Sequence, residues 1–155
     1  METTTENAVE REIAIDASPE TVWEFLVDPE KMARWMGSEI TLDPRPGGTY
    51  RLDVLDANIA RGEFVEVDPP RRLVHTFGWE SARTEGMTDL VPPGSTRIEI
   101  ELEPTNGGTT LRFRHLGLPT DEAGRLHGIG WDHYLERLRT VAAGGDPGRD
   151  AGPQM

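Results

Sequence analysis

One stretch constrains this chain more than any other: IEIELEPTNGGTTLRFRH, from Ile98 to His115. Ile98, Ile100 and Leu102 alternate with Glu99, Glu101 and Glu103. After Asn106-Gly107-Gly108, Leu111, Phe113 and His115 alternate with Arg112 and Arg114. A period of two is the signature of a strand with one apolar face, and an Asn-Gly turn suits the twist of an antiparallel hairpin. A slip of one residue would turn every apolar side chain to water, so the register is strongly specified. On the charged face, Arg97, Arg112 and Arg114 are placed to pair with Glu99, Glu101 and Glu103, each exposed pair contributing about 0.2–1 kcal/mol. The apolar face needs a cover.

More strands precede the hairpin. VEREIAI (9–15) alternates imperfectly, and further short runs follow at 38–43, 48–54, 57–68, 71–79, 95–104 and 108–117. The breaks PRPGG, LDAN, DPP, VPPG and TNGG carry the Gly, Pro, Asn and Asp that reversals need. Between the first two strands lie two helix starts. Ser18-Pro19-Glu20 and Asp28-Pro29 each supply an N-cap followed by proline at the first helical position. Val22, Trp23, Phe25 and Leu26 form the apolar stripe of the first helix, and Gly37 closes the pair. Helices of about two turns do not stand alone.

After LPTDEAG comes RLHGIGWDHYLERLRTVAAGG, capped by Thr120 or Asp121 and ended by Gly144-Gly145. About twenty residues make a helix roughly 30 Å long. His127, Trp131, Tyr134, Leu135 and Leu138 share its apolar stripe. The predicted architecture is α+β: a curved seven-stranded antiparallel sheet wrapped around a long C-terminal helix, with two short helices after the first strand. The predicted organisation is a disordered stretch at 1–7, one domain over 8–143 and a flexible Gly/Pro-rich tail at 144–155.

Composition narrows the partners. In 155 residues, 16 Lys and Arg face 28 Asp and Glu, for a net charge of -12. Such a surface repels phosphate backbones and anionic lipid, so nucleic acid is not an expected partner. The absence of cysteine excludes disulfides and thiolate metal sites. The polar start METTTENAVEREI has no apolar run of a secretory signal, and no stretch reaches the length of a membrane span, so membrane insertion is not expected and the expected location is the cytoplasm.

SPETVWEFLVDPEKMARWMG, GGTYRLDV, ARGEFVEVDPPRRLVHTFGW, TRIEIELEPTNGGTTLRFRH and GIGWDHYLERL, in this order, resemble the domain family named for activators of the heat-shock protein 90 ATPase. That family (AHSA-type) belongs to the START/Bet v 1-like, or SRPBCC, superfamily, and the resemblance covers roughly residues 8–142. It implies a helix-grip fold with an interior cavity that holds an apolar or amphipathic small molecule. Some superfamily members catalyse cyclisation or related reactions. The chaperone-activating role is associated with larger eukaryotic proteins that carry an additional N-terminal domain.

Strand parity assigns the cavity walls. Leu73, His75, Phe77 and Trp79 share one face of their strand, as do Ile98 and Ile100, and Leu111, Phe113 and His115. With Trp35 from the short helices and His127, Trp131 and Tyr134 from the long helix, these are the expected ligand-binding residues. Gly128 and Gly130 each cost about 1 kcal/mol of helix propensity relative to Ala, which implies a bend or a close approach. The irregular stretch 80–94 is a candidate lid. His75 and His115 are the candidate bases, since apolar surroundings keep an imidazole neutral. Histidine spacing matches no metal motif, so neither a metal nor another cofactor is expected. The expected function is binding of a small apolar or amphipathic ligand. The alternatives are a cyclase- or hydrolase-type enzyme using a cavity histidine, and a domain that regulates a chaperone or another protein. The assembly expected is a monomer or homodimer.

Overall fold

A computed structural model describes residues 6–153. In chain order it contains β1 (Val9–Ile15), α1 (Pro19–Val27), α2 (Pro29–Met32), β2 (Ser38–Leu42), β3 (Thr49–Leu55), β4 (Asn58–Asp68), β5 (Arg72–Phe77), β6 (Trp79–Ser81), α3 (Met87–Leu90), β7 (Thr96–Thr105), β8 (Gly108–Leu116) and α4 (Asp121–Ala142). Most of the expected disordered start, residues 1–5, lies outside the described residues, as do residues 154–155 of the expected tail.

The helix starts follow their caps. Ser18 Oγ accepts from the Thr21 amide at 3.2 Å, Asp28 from the Glu30 amide at 2.9 Å, and Thr120 from the Ala123 amide at 3.0 Å. Each satisfies an amide with no partner inside the helix. The second short helix, expected to run about two turns, is a single turn, Pro29–Met32. The irregular stretch 80–94 contains the one-turn α3, which begins after Gly86.

The antiparallel sheet runs in the order β1-β8-β7-β5-β4-β3-β2, with β6 paired to β4 beside it. It thus has seven strands in its main order and an eighth off the path. The reason is local. The expected strand 71–79 breaks at Gly78, where a Cβ would lie 1.8 Å from the Pro92 carbonyl oxygen, so only glycine lets the segment at 91–93 cross here. Trp79 then donates its amide to Val91 O at 2.7 Å and starts β6. Register irregularities within the β2–β3, β3–β4, β4–β5 and β4–β6 pairings bend the sheet.

The hairpin β7–β8 pairs Ile98 with His115, Ile100 with Phe113 and Leu102 with Leu111, all inward and buried. On the outer face Glu99 meets Arg72, Arg97 and Arg114, while Arg112 bridges Glu12 and Glu103. Glu101 finds Arg72 of β5 rather than a hairpin arginine.

α4 covers the inner face. Arg11 of β1 binds Asp132 at 2.6 Å, and Arg137 donates to the Trp35 carbonyl at 2.9 Å, tying the helix to both flanks. Among the described residues, no helix is long and apolar enough to cross a membrane.

Candidate functional site

Among the described residues, two hollows reach into the interior. The larger, about 310 Å³, opens to the surface between α4, the β3–β4 turn and the connection after β6. Phe77, Trp79, His127, Gly130, Trp131 and Tyr134 wall it, with Met36, Val54, Leu55, Asn58, Ala82, Thr84, Met87, Leu126 and Pro153 completing the lining. This size suits a small organic molecule. The second hollow is an inner recess of about 20 Å³, lined by Trp35, Leu73, His75, Ile98, Ile100, Phe113 and Trp131 together with Leu26, Met32, Met36, Tyr50 and Leu135. Met36 and Trp131 wall both.

Three histidines sit in this interior, and their surroundings differ. His127 Nδ1 bonds the Ala123 carbonyl at 2.7 Å, so this nitrogen carries the proton, and His127 Nε2 accepts from Trp79 Nε1 at 3.0 Å. For His115 the order is reversed. Nδ1 accepts from Trp131 Nε1 at 3.0 Å, leaving the proton on Nε2, which donates to Thr96 Oγ1 at 2.8 Å; Thr96 in turn donates to the Phe77 carbonyl at 2.7 Å. Both rings have every nitrogen engaged. His75 has one: Nδ1 donates to the Thr76 carbonyl at 2.7 Å, and its ring stacks on Tyr50 with centroids 3.8 Å apart and planes at 19°.

Burial lowers all three imidazole pKa values, because a charged ring loses its hydration in an apolar interior. His75 falls to about 4, burial outweighing its hydrogen bond to Thr76. His115 is pushed well down by burial first and by repulsion from His127 and His75 second. Burial also raises the Tyr50 phenol. The site is therefore neutral. Among the described residues, no group of three or more His, Cys, Asp or Glu is arranged to hold a metal ion.

The structure divides the expected ligand-binding set. Phe77, Trp79, His127, Trp131 and Tyr134 line the open cavity; Trp35, Leu73, His75, Ile98, Ile100, Phe113 and again Trp131 line the recess. Leu111 and His115 line neither. Trp23 is ordinary core. Trp35 is buried, with Nε1 donating to the Phe25 carbonyl at 2.9 Å. Sequence reasoning missed Met36, Tyr50 and Val54. The alternation of Tyr50, Leu52 and Val54 with Arg51 and Asp53 is a signal that could have found the latter two. Met87, Ala82 and Thr84 place part of the 80–94 stretch on the cavity wall.

Residues 144–153, within the expected flexible tail, lie along α4. The Asp150 carboxylate binds His133 Nε2 at 2.8 Å and accepts from the Tyr134 hydroxyl at 2.7 Å, and Arg137 donates to the Pro147 carbonyl at 3.1 Å. Burial pushes the Asp150 carboxyl up, but the hydrogen bonds from His133, Tyr134 and the Gly152 amide outweigh it and leave it lowered. Pro153 reaches the cavity lining.

Solved structures share this fold. An AHSA1-like protein from Rhizobium etli, solved by NMR, is 45% identical, with 96% of this chain and 90% of that chain covered and a TM-score of 0.72. CalU16 from Micromonospora echinospora is 25% identical over 88% of this chain and 76% of that chain, with a TM-score of 0.69. The Aha1 dimer from Colwellia psychrerythraea, at 19% identity, covers 89% of this chain and 97% of that chain with a TM-score of 0.71, a likeness of fold alone. An uncharacterized Schizosaccharomyces pombe protein is 25% identical over 126 residues, 81% of this chain; the match spans 34% of the yeast protein's own length. The family described as Activator of Hsp90 ATPase homolog 1-like protein matches residues 16–143, from the cap of α1 to the end of α4, and this chain belongs to it.

Proposed function

We propose that this protein binds a small apolar or amphipathic molecule in the open cavity between α4 and the sheet. The observation that carries the reading is the open hollow of about 310 Å³, walled by Phe77, Trp79, Trp131, Met36 and Met87. Its polar lining is sparse. Thr84 and the Asn58 side-chain amide nitrogen suit the polar end of a guest, whereas Asn58 Oδ1 already accepts from the Arg83 amide and His127 and Trp79 satisfy each other. An apolar guest gains by leaving water, at about 25 cal/mol per Å² of apolar surface.

The same bonds weigh against an enzyme built on these histidines. A general base needs a lone pair within reach of substrate. His115 and His127 have none to spare, and His75 lines the recess but not the open cavity.

Titration with 1-decanol, followed by tryptophan emission and by native mass spectrometry, tests the reading. Saturable one-to-one uptake is expected, abolished in a folded Gly130→Leu variant. Uptake unchanged in that variant, or no uptake by the natural protein, overturns it. Family membership favours a second reading, regulation of a chaperone ATPase. Stimulation of Hsp90 ATP hydrolysis that survives Gly130→Leu would establish it independently of the cavity.

A further inference from the structure

We propose that the inner recess is a subsite for one hydroxyl oxygen, held between His75 Nε2 and Tyr50 Oη. Both side chains line it, and they are only 3% and 2% exposed. His75 spends its Nδ1 proton on the Thr76 carbonyl, which leaves Nε2 as a bare acceptor. Neither that nitrogen nor the Tyr50 hydroxyl has a hydrogen-bond partner among the described residues; burial is the sole influence on the Tyr50 phenol, and burial with the Thr76 bond accounts for His75. Nor are these two atoms sealed in protein. Among the described residues, the fully enclosed side-chain nitrogen or oxygen without a hydrogen bond is Arg114 Nε, so His75 Nε2 and Tyr50 Oη border open space. Buried polar groups are nearly always satisfied, and two such residues on the lining of one small hollow point to one occupant.

Size and chemistry define that occupant. A volume of about 20 Å³ fits a single oxygen-sized group. The group must donate to His75 and accept from Tyr50. A hydroxyl does both, a carbonyl cannot donate, and a carboxylate would meet two neutral groups and no countercharge. Water is one source. The other is an alcohol lodged in the open cavity, since Met36 and Trp131 alone are shared by both linings and the Met36 side chain is flexible. The alcohol source rests on the binding function proposed above; the subsite itself does not.

Crystals of the unliganded protein, at a resolution that places waters, test the subsite directly. One oxygen peak within hydrogen-bond distance of both atoms is expected, and an empty recess overturns the proposal. In solution, Tyr50→Phe keeps the ring and removes only the hydroxyl. It is expected to lower the folding equilibrium constant about 5-fold, the worth of a typical hydrogen bond. An unchanged or increased constant overturns the proposal, because deleting an unpartnered buried hydroxyl costs nothing. The complex with 1-decanol separates the sources: replacement of the peak by the alcohol oxygen makes the recess a ligand subsite, and a peak that persists beside bound alcohol makes it a hydration site. Failure of decanol to enter the open cavity would sink the binding function and leave the oxygen peak standing.

Discussion

Toward β1, α4 has no space to spare. A Cβ at Gly124 would meet the Asn7 carbonyl oxygen at 2.7 Å, and one at Gly128 would meet the Arg11 guanidinium at 3.1 Å and Val9 at 3.9 Å. On its other flank, a Cβ at Gly130 would meet nothing within 4 Å, and the residue borders the open cavity. Three glycines in one helix thus have two meanings. Gly124 and Gly128 let the helix seat against the first strand, whereas Gly130 preserves room. One flank is built for contact and the other for vacancy, and composition alone does not tell them apart.

The sharpest way to break this contrast is Trp131→Ala. It removes the ring that walls both hollows, packs on Phe113 with centroids 4.6 Å apart and donates to His115. A loss of about 3–5 kcal/mol is expected in chemical denaturation, from the lost burial and the enlarged cavity. A value near zero would mean that the ring adds nothing to the core it lies in.

Acid probes the cavity flank next. His75 binds a proton at about 4 when folded, against 6.5 for an ordinary histidine. Between those values the unfolded chain holds more protons, so stability rises with pH through this window. The contribution is complete above about 6.5 and is lost as pH falls toward 4, amounting to about 3 kcal/mol from this ring. His115 and His127 act in the same direction. Denaturation midpoints measured across this range check it, and a flat profile would show that the rings protonate without leaving the interior.

A matched pair of substitutions then sharpens the comparison. Gly124→Ala pushes against backbone and is expected to cost about 1–3 kcal/mol. Gly130→Ala gains helix propensity and is expected to stabilise by up to about 1 kcal/mol. Opposite signs in thermal unfolding support the two meanings of glycine, and equal signs refute them. The smallest effect belongs to Asp150→Ala. Loss of its bonds to His133 and Tyr134 is expected to speed hydrogen exchange at the Gly152 amide, which itself donates to Asp150, while changing global stability by no more than about 1 kcal/mol.

The frame was legible because its signals are local. The alternation of Ile98, Ile100 and Leu102 with glutamates fixes a face, and Ser18, Asp28 and Thr120 cap the helices that they precede. The break at Gly78 was hidden, because it depends on a carbonyl fourteen residues away, that of Pro92. The candidate site was half legible. Parity turns His75 and His115 inward, as observed. It does not say that Trp131 and Thr96, reaching from α4 and β7, occupy both nitrogens of His115, whereas His75 has a partner among the described residues at Nδ1 alone. Tyr50, the partner stacked on His75, comes from a strand whose alternation was present but which contributed no residue to the expected set. Pro153 had no signal, since a Gly/Pro-rich segment carries no periodicity to read.

Tyr134 belongs to two structures at once: its side chain borders the open cavity, and its hydroxyl holds Asp150. A guest that shifts this ring is therefore expected to loosen the chain beyond α4, and trimming that chain is expected to free the ring. Under the proposed binding function, guest and tether share one lever, so any assay of the first should record the position of the second.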